Sequence, residues 1–213
     1  MYIRPHALPP PRPVAWPLKP LESTETGLTV LPGGQLELSI HHEVLRGVTP
    51  AMLEWWFHHI EGAMEYCGKI YPRYLVWHPL DHIAYSVRGT AGQGGVFHIV
   101  EAFGRNLRYL VDILPEVVQC NASGLTLVEH WCGMEISRLQ HRFTAVAEGT
   151  QHDSHLVVGI SHQRSERLMN QWLRPWLFSN AMGQAWLRHN VEEVGNFERF
   201  LPGLYALHAH SHS

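Results

Sequence analysis

From residue 77 to residue 161 the chain alternates short β-prone runs with turn signals, and from about residue 165 it changes to a helical apolar period that lasts to residue 194. That order leaves few folds open. Residues 83–87, 95–103, 125–131, 137–147 and 155–161 read as four or five strands, with Gly92-Gln93-Gly94-Gly95 as a hairpin loop and Glu148-Gly149 as another break. Strands following one another at such short spacing pair antiparallel. The helical stretch presents Leu168, Trp172, Trp176, Met182 and Trp186 as an approximate apolar face; Pro175 is placed to kink or split it, and Gly195 to stop it. The expectation is an α+β fold: a curved antiparallel sheet wrapped around a long C-terminal helix, with a cavity between them.

Ahead of that sheet, residues 29–45 alternate loosely and read as strand, broken at Gly33-Gly34. Thr49-Pro50 supplies an N-cap with proline at the first helical position, so a helix is expected over residues 50–66, ended by Gly68. Trp55, Trp56 and Phe57 are consecutive and cannot all face one way; some must pack against a second layer or another subunit, which keeps a homodimer open. Seven prolines between Pro5 and Pro20 make residues 1–28 an extended arm that packs over the domain or lies free. Residues 29–205 form the single domain, and residues 206–213, with His208, His210 and His212, a polar tail.

Composition narrows the chemistry. A net charge of −3 and a pI near 6.6 provide no basic stripe, so nucleic acid is not an expected partner. No Lys/Arg run, leader pattern or long apolar stretch points to a membrane, and a cytoplasmic protein is expected. Three cysteines without Cys-x-x-Cys spacing argue against a disulfide framework or a thiolate zinc knuckle. Any metal must therefore be bound by nitrogen and oxygen, and the chain holds 17 histidines. His41 and His42, adjacent near a turn, invite a bland explanation, as do the three tail histidines.

Three segments carry candidate ligands. His189 and Glu193 lie four residues apart, so on a helix both side chains rise from one face, one turn apart, as a chelate requires. Glu101 ends a strand whose two faces are largely apolar, so its carboxylate points inward and needs a metal, a cation or strong hydrogen bonds; an ion pair with Arg88 is the competing explanation. In Arg73-Tyr-Leu-Val-Trp-His-Pro-Leu-Asp-His82, His78 and His82 flank a proline turn, and Asp81 is placed to orient an imidazole through its other ring nitrogen. His82 enters the following strand and is the favoured ligand, with His78 the alternative. His141 falls on the apolar face of Leu139, Phe143 and Ala145.

Together, Met52-Leu-Glu-Trp-Trp-Phe57, Tyr74-x-x-Trp-His-Pro-x-Asp-His82, His98-Ile-Val-Glu101 and His189-x-x-x-Glu193 with Gly195-Asn-Phe-x-x-Phe-Leu-Pro202 resemble the 2,4-diacetylphloroglucinol hydrolase and phloretin hydrolase family. The likeness spans about residues 50–203. It implies a helix-grip fold of the Bet v 1/START-like type. It also implies a zinc ion held by two His and two Glu: His189, Glu193, Glu101 and one of His82 and His78. The implied reaction is hydrolysis of a carbon–carbon bond between an acyl group and a polyhydroxylated aromatic ring, with a small aromatic ketone as substrate. In that reading Glu193 doubles as ligand and base, and Tyr74 or His141 binds ring hydroxyls. The rivals are a non-haem iron enzyme of another reaction type and a non-catalytic helix-grip protein that binds an aromatic ligand.

Overall fold

The computed structural model describes residues 7–160 and 166–210. In chain order the elements are β1 (Glu25–Val30), β2 (Leu36–His41), β3 (Leu45–Arg46), α1 (Pro50–His59), β4 (Ala63–Tyr66), β5 (Lys69–Pro72), α2 (Arg73–Trp77), β6 (His82–Arg88), β7 (Val96–Ala102), β8 (Leu110–Ile113), β9 (Glu116–Asn121), β10 (Gly124–Trp131), β11 (Met134–Val146), β12 (Gly149–Val158), α3 (Glu166–Leu177) and α4 (Asn180–His210). Ten strands form one antiparallel sheet in the order β1-β2-β12-β11-β10-β9-β7-β6, with β3 beside β12 and β8 beside β7. Alternation decides which face is inside: Leu36, Leu38 and Ile40 of β2 are buried while Ser39 and His41 are exposed.

The long helix α4 lies against that inner face. Its first half puts Met182, Trp186, Leu187 and Val191 on Leu36, Leu38, Ile40 and Leu156. Its second half puts Val194, Phe197, Phe200 and Leu201 into a cluster with Trp56 and Phe57 of α1, Trp77 of α2, and Leu125 and Phe143 of the sheet. A large antiparallel sheet closed around one C-terminal helix is the helix-grip arrangement expected from the sequence. The consecutive aromatics of α1 find their layers within the chain: Trp55, Trp56 and Phe57 are all buried.

Several boundaries differ from the sequence reading. The helix expected over residues 50–66 ends at His59, and residues 63–72 form a β4–β5 hairpin. Cys67 and Gly68 both have positive φ (51° and 73°), the two-residue turn that suits a hairpin's twist, so Gly68 makes a turn and does not stop a helix. The long C-terminal helix divides after Leu177, two residues past Pro175, and Ser179 caps the new start by accepting from the Met182 N–H at 3.1 Å. Gly195 does not end α4, which continues through residues 206–210 of the stretch read as a tail. A side chain at Gly195 would meet the Lys19 methylenes at 2.7 Å, so this glycine serves close packing. Of the apolar face assigned to residues 168–186, Met182 and Trp186 are buried, but Leu168, Trp172 and Trp176 of α3 are exposed. Strands β8 and β9 were not read from the sequence, and β1 starts inside the stretch read as arm. Residues 161 and 165, taken as strand end and helix start, and His212 lie outside the described residues.

Among the described residues no helix is long and apolar enough to cross a membrane.

Candidate metal centre

His82 is the first residue of β6 and Glu101 stands opposite it on β7, where the ladder carries a bulge just past His82. His189 and Glu193 come from one face of α4. The three segments bring four donors into a group whose ligand atoms all lie within 4.8 Å of one another. The His82 Nε2 atom is 3.3 Å from Glu101 Oε1 and 3.3 Å from Glu193 Oε2; His189 Nε2 is 3.4 Å from Glu101 Oε2 and 3.7 Å from Glu193 Oε2. Four donors about 2.0–2.1 Å from a common centre at tetrahedral angles stand roughly 3.3–3.4 Å apart, so these separations suit a small divalent ion.

The tautomers agree with that reading. His82 Nδ1 donates to the Tyr74 carbonyl oxygen at 2.6 Å, and His189 Nδ1 donates to Asp81 Oδ2 at 3.1 Å. Neither acceptor can donate in return, so both Nδ1 atoms carry protons and the Nε2 atoms are the ones left to face the carboxylates. Both Nε2 atoms are buried without a hydrogen-bond partner. A buried polar atom without a partner is costly, and two beside converging carboxylates make a site for a cation. Burial opposes charge on His189, yet Glu101, Glu193 and Asp81 outweigh it and hold that imidazole up at about 9, so in the metal-free chain a proton sits where a bound cation would displace it. Burial pushes His82 the other way, well below the ordinary histidine range.

The surrounding contacts fix the ligands' aim. Tyr74 stacks on the His82 ring at 3.9 Å, and its hydroxyl donates to Glu101 Oε1 through a short hydrogen bond. Asn190 Nδ2 donates to Glu193 Oε1 at 2.6 Å. Asp81 accepts from the backbone N–H groups of Gly104 at 2.8 Å and Arg105 at 3.0 Å as well as from His189. Burial alone would raise the Asp81 carboxyl, but the His189 hydrogen bond and these neighbours hold it below the usual range. Glu101 therefore meets two histidines and a tyrosine, and Arg88 is not among its partners. His78 is not one of the four; its Nε2 meets Glu192 Oε2 at 3.0 Å, and its ring stacks on His189 at 4.5 Å. His78, Asp81 and His189 form a second close group that shares His189 with the first.

A cavity of about 550 Å³ runs between the sheet and the helices, with Phe57, Tyr85, Phe97, Leu139 and Trp186 among its apolar walls. Tyr74, Glu101, His141 and Glu193 lie in the same wall. Behind His141 is a polar cluster that the sequence reading missed. Ser154 Oγ bridges His141 Nδ1 at 2.9 Å and His42 Nε2 at 3.0 Å, and His152 Nε2 reaches His141 Nδ1 at 3.0 Å. Burial pushes His141 down to about 4 and His42 to about 3. The available signal was the inward face of β12, where Thr150, His152 and Ser154 precede Leu156 at alternate positions. His42, set aside beside His41, had no such signal; His41 is exposed and pairs with Asp153.

Residues 18–94 match the family model of the DAPG hydrolase PhiG domain. The resemblance to the diacetylphloroglucinol hydrolases is thereby supported on a stretch that includes Tyr74, Asp81 and His82. Glu101, His189 and Glu193 lie beyond the matched residues. No curated protein matches the chain. Among solved structures, a protein of unknown function from Staphylococcus aureus is similar at 10% identity and a TM-score of 0.45, covering 87% of this chain and 99% of that one. CalU16 from Micromonospora echinospora gives 12%, 0.40, 81% and 96% in the same order, and Ara h 8.0201 gives 10%, 0.37, 75% and 99%. The helix-grip description stands on the chain's own sheet and helix.

Proposed function

We propose that this chain is a zinc-dependent hydrolase that splits the carbon–carbon bond between an acyl group and a polyhydroxylated aromatic ring, in a small aromatic ketone of the acylphloroglucinol type. The observation that carries the proposal is the cluster itself: two imidazoles whose Nε2 atoms are buried without a hydrogen-bond partner, and two carboxylates that line an apolar cavity large enough for a substituted ring. Zinc suits that donor set, and when bound it would polarise a ketone oxygen and lower the pKa of a water.

The chain's own residues supply the rest. Apolar walls accept the ring face, while buried Tyr74 and His141 offer polar contacts to ring hydroxyls. His141, pushed down to about 4, is neutral at pH 7 and so can either donate or accept. Glu193, steadied through Oε1 by Asn190, takes a proton from the attacking water in this reading. The ring carbon gains its proton through the keto tautomer of the phenol, which leaves the acyl carbon open to attack. Water then supplies the hydroxyl of the acid: the aryl–acyl bond breaks, and a carboxylic acid and the deacylated phenol are the products. No nucleophilic side chain is needed.

Incubation with a series of acylphloroglucinols, with both products quantified, tests this. The expected result is equal amounts of acid and deacylated ring. Binding of the ketone without product would make the chain a carrier of aromatic ligands instead.

A further inference from the structure

We infer that the arm over residues 7–20 is a strap that sets the geometry of the metal centre, with Arg12 as its positioning residue. The inference rests on reading His82, Glu101, His189 and Glu193 as a metal site.

The residues between α2 and β6 must place His82 and Asp81 together. Arg12 serves this link twice: its backbone N–H donates to the Pro79 carbonyl at 3.0 Å, and its Nη2 makes a short hydrogen bond to the carbonyl of His82 itself. Arg105 serves it once more, with Nη1 on the Leu80 carbonyl at 2.9 Å and Nη2 on the Pro9 carbonyl of the arm at 2.9 Å. Gly104 and Arg105 both have positive φ (60° and 54°), a turn that aims two successive N–H groups at the Asp81 carboxylate. Asp81 in turn fixes the ring of His189. The arm thus touches the support of both imidazoles, directly for His82 and through Arg105 and Asp81 for His189.

Further along, the arm ties the same link to α4. Trp16 Nε1 donates to Asn196 Oδ1 at 2.8 Å, and Asn196 Nδ2 donates to the Trp77 carbonyl at 2.8 Å. Asn196 lies three residues past Glu193 on α4. Lys19 reaches Glu198 of the same helix at 3.4 Å. The distance between α4 and the start of β6 is the distance between the helical ligands and His82, and the strap spans it. Its prolines fix φ in advance, so a chain already extended loses little freedom on lying down.

Zinc affinity of the full chain, stripped with chelator and measured by competition with a chromophoric chelator, tests this. Three variants join the unmodified chain: Arg12→Ala, Arg12→Lys, and Thr150→Ala, which loses a buried hydrogen bond to the Val48 carbonyl away from the strap. Melting of each metal-free protein is followed in parallel. Arg12→Ala should remain folded and lose about tenfold in zinc affinity, the lower end for a residue supporting a ligand. Arg12→Lys should recover part of that loss, and Thr150→Ala should bind as the unmodified chain does despite melting lower. Unchanged affinity in Arg12→Ala, or an equal loss in Thr150→Ala, would overturn the strap. An unmodified chain that takes up no zinc would instead overturn the metal reading, and the strap with it.

Discussion

Glu101 faces His82 directly across the β6–β7 ladder, and its two oxygens divide between His82 and His189. A sheet register and a helix position thus converge on one carboxylate. Glu101→Gln keeps the shape and removes the charge, so the protein should still fold while zinc binding weakens. Circular dichroism and metal content on the same sample check both halves.

His82 and His78 are four residues apart and both fully buried, yet they do different work. His82 has an unpartnered Nε2 facing two carboxylates, whereas His78 spends its Nε2 on Glu192 and accepts at Nδ1 from the Asp81 N–H at 3.1 Å. His82→Ala should lose metal and activity together; His78→Ala should keep most of the metal. Metal analysis of both variants would show the reverse pattern if the two histidines had the opposite roles.

Asp81 lies outside the cavity lining and fixes the tautomer of His189. In Asp81→Asn the amide oxygen still accepts, but the charge that favours a proton on Nδ1 is gone. Zinc affinity should fall by about 10–100-fold, the range typical for a carboxylate behind a ligating histidine. Isothermal titration of the stripped protein measures it.

The His42–Ser154–His141–His152 cluster gives stability a pH dependence of known sign. Burial pushes His42 and His141 below their unfolded value near 6.5, to about 3 and about 4. Their contribution is complete above that unfolded value and is lost as pH falls toward the folded values, because the unfolded chain binds the protons first. Each such group adds a slope of about 1.4 kcal/mol per pH unit within that window. Urea unfolding between pH 7 and pH 5 should show the decline, and His42→Gln should flatten it.

Much of the fold was legible because period and punctuation agree: alternation marked β6, β7, β10 and β11 to within a few residues, and a helical period marked α4. What failed shares a cause. Helix α1 stops early because a Cys-Gly hairpin turn follows it, β8 is too short to build a pattern of its own, and β9 buries only Val117. Gly195 reads locally as a stop but answers to Lys19, distant in sequence. The candidate ligands were legible because chelate spacing on a helix and an inward carboxylate on a strand are local signals. Arg12, Arg105 and His42 were not, since their roles exist only where remote segments meet.

The central claim is that this cluster holds a zinc ion that the hydrolysis requires. Titrating zinc into chelator-stripped protein while following acid release from an acylphloroglucinol tests it most directly. Release should be absent at the start, rise in proportion to added zinc, and level off at one equivalent per chain. Undiminished release from the stripped protein, or none at full loading, would contradict the account.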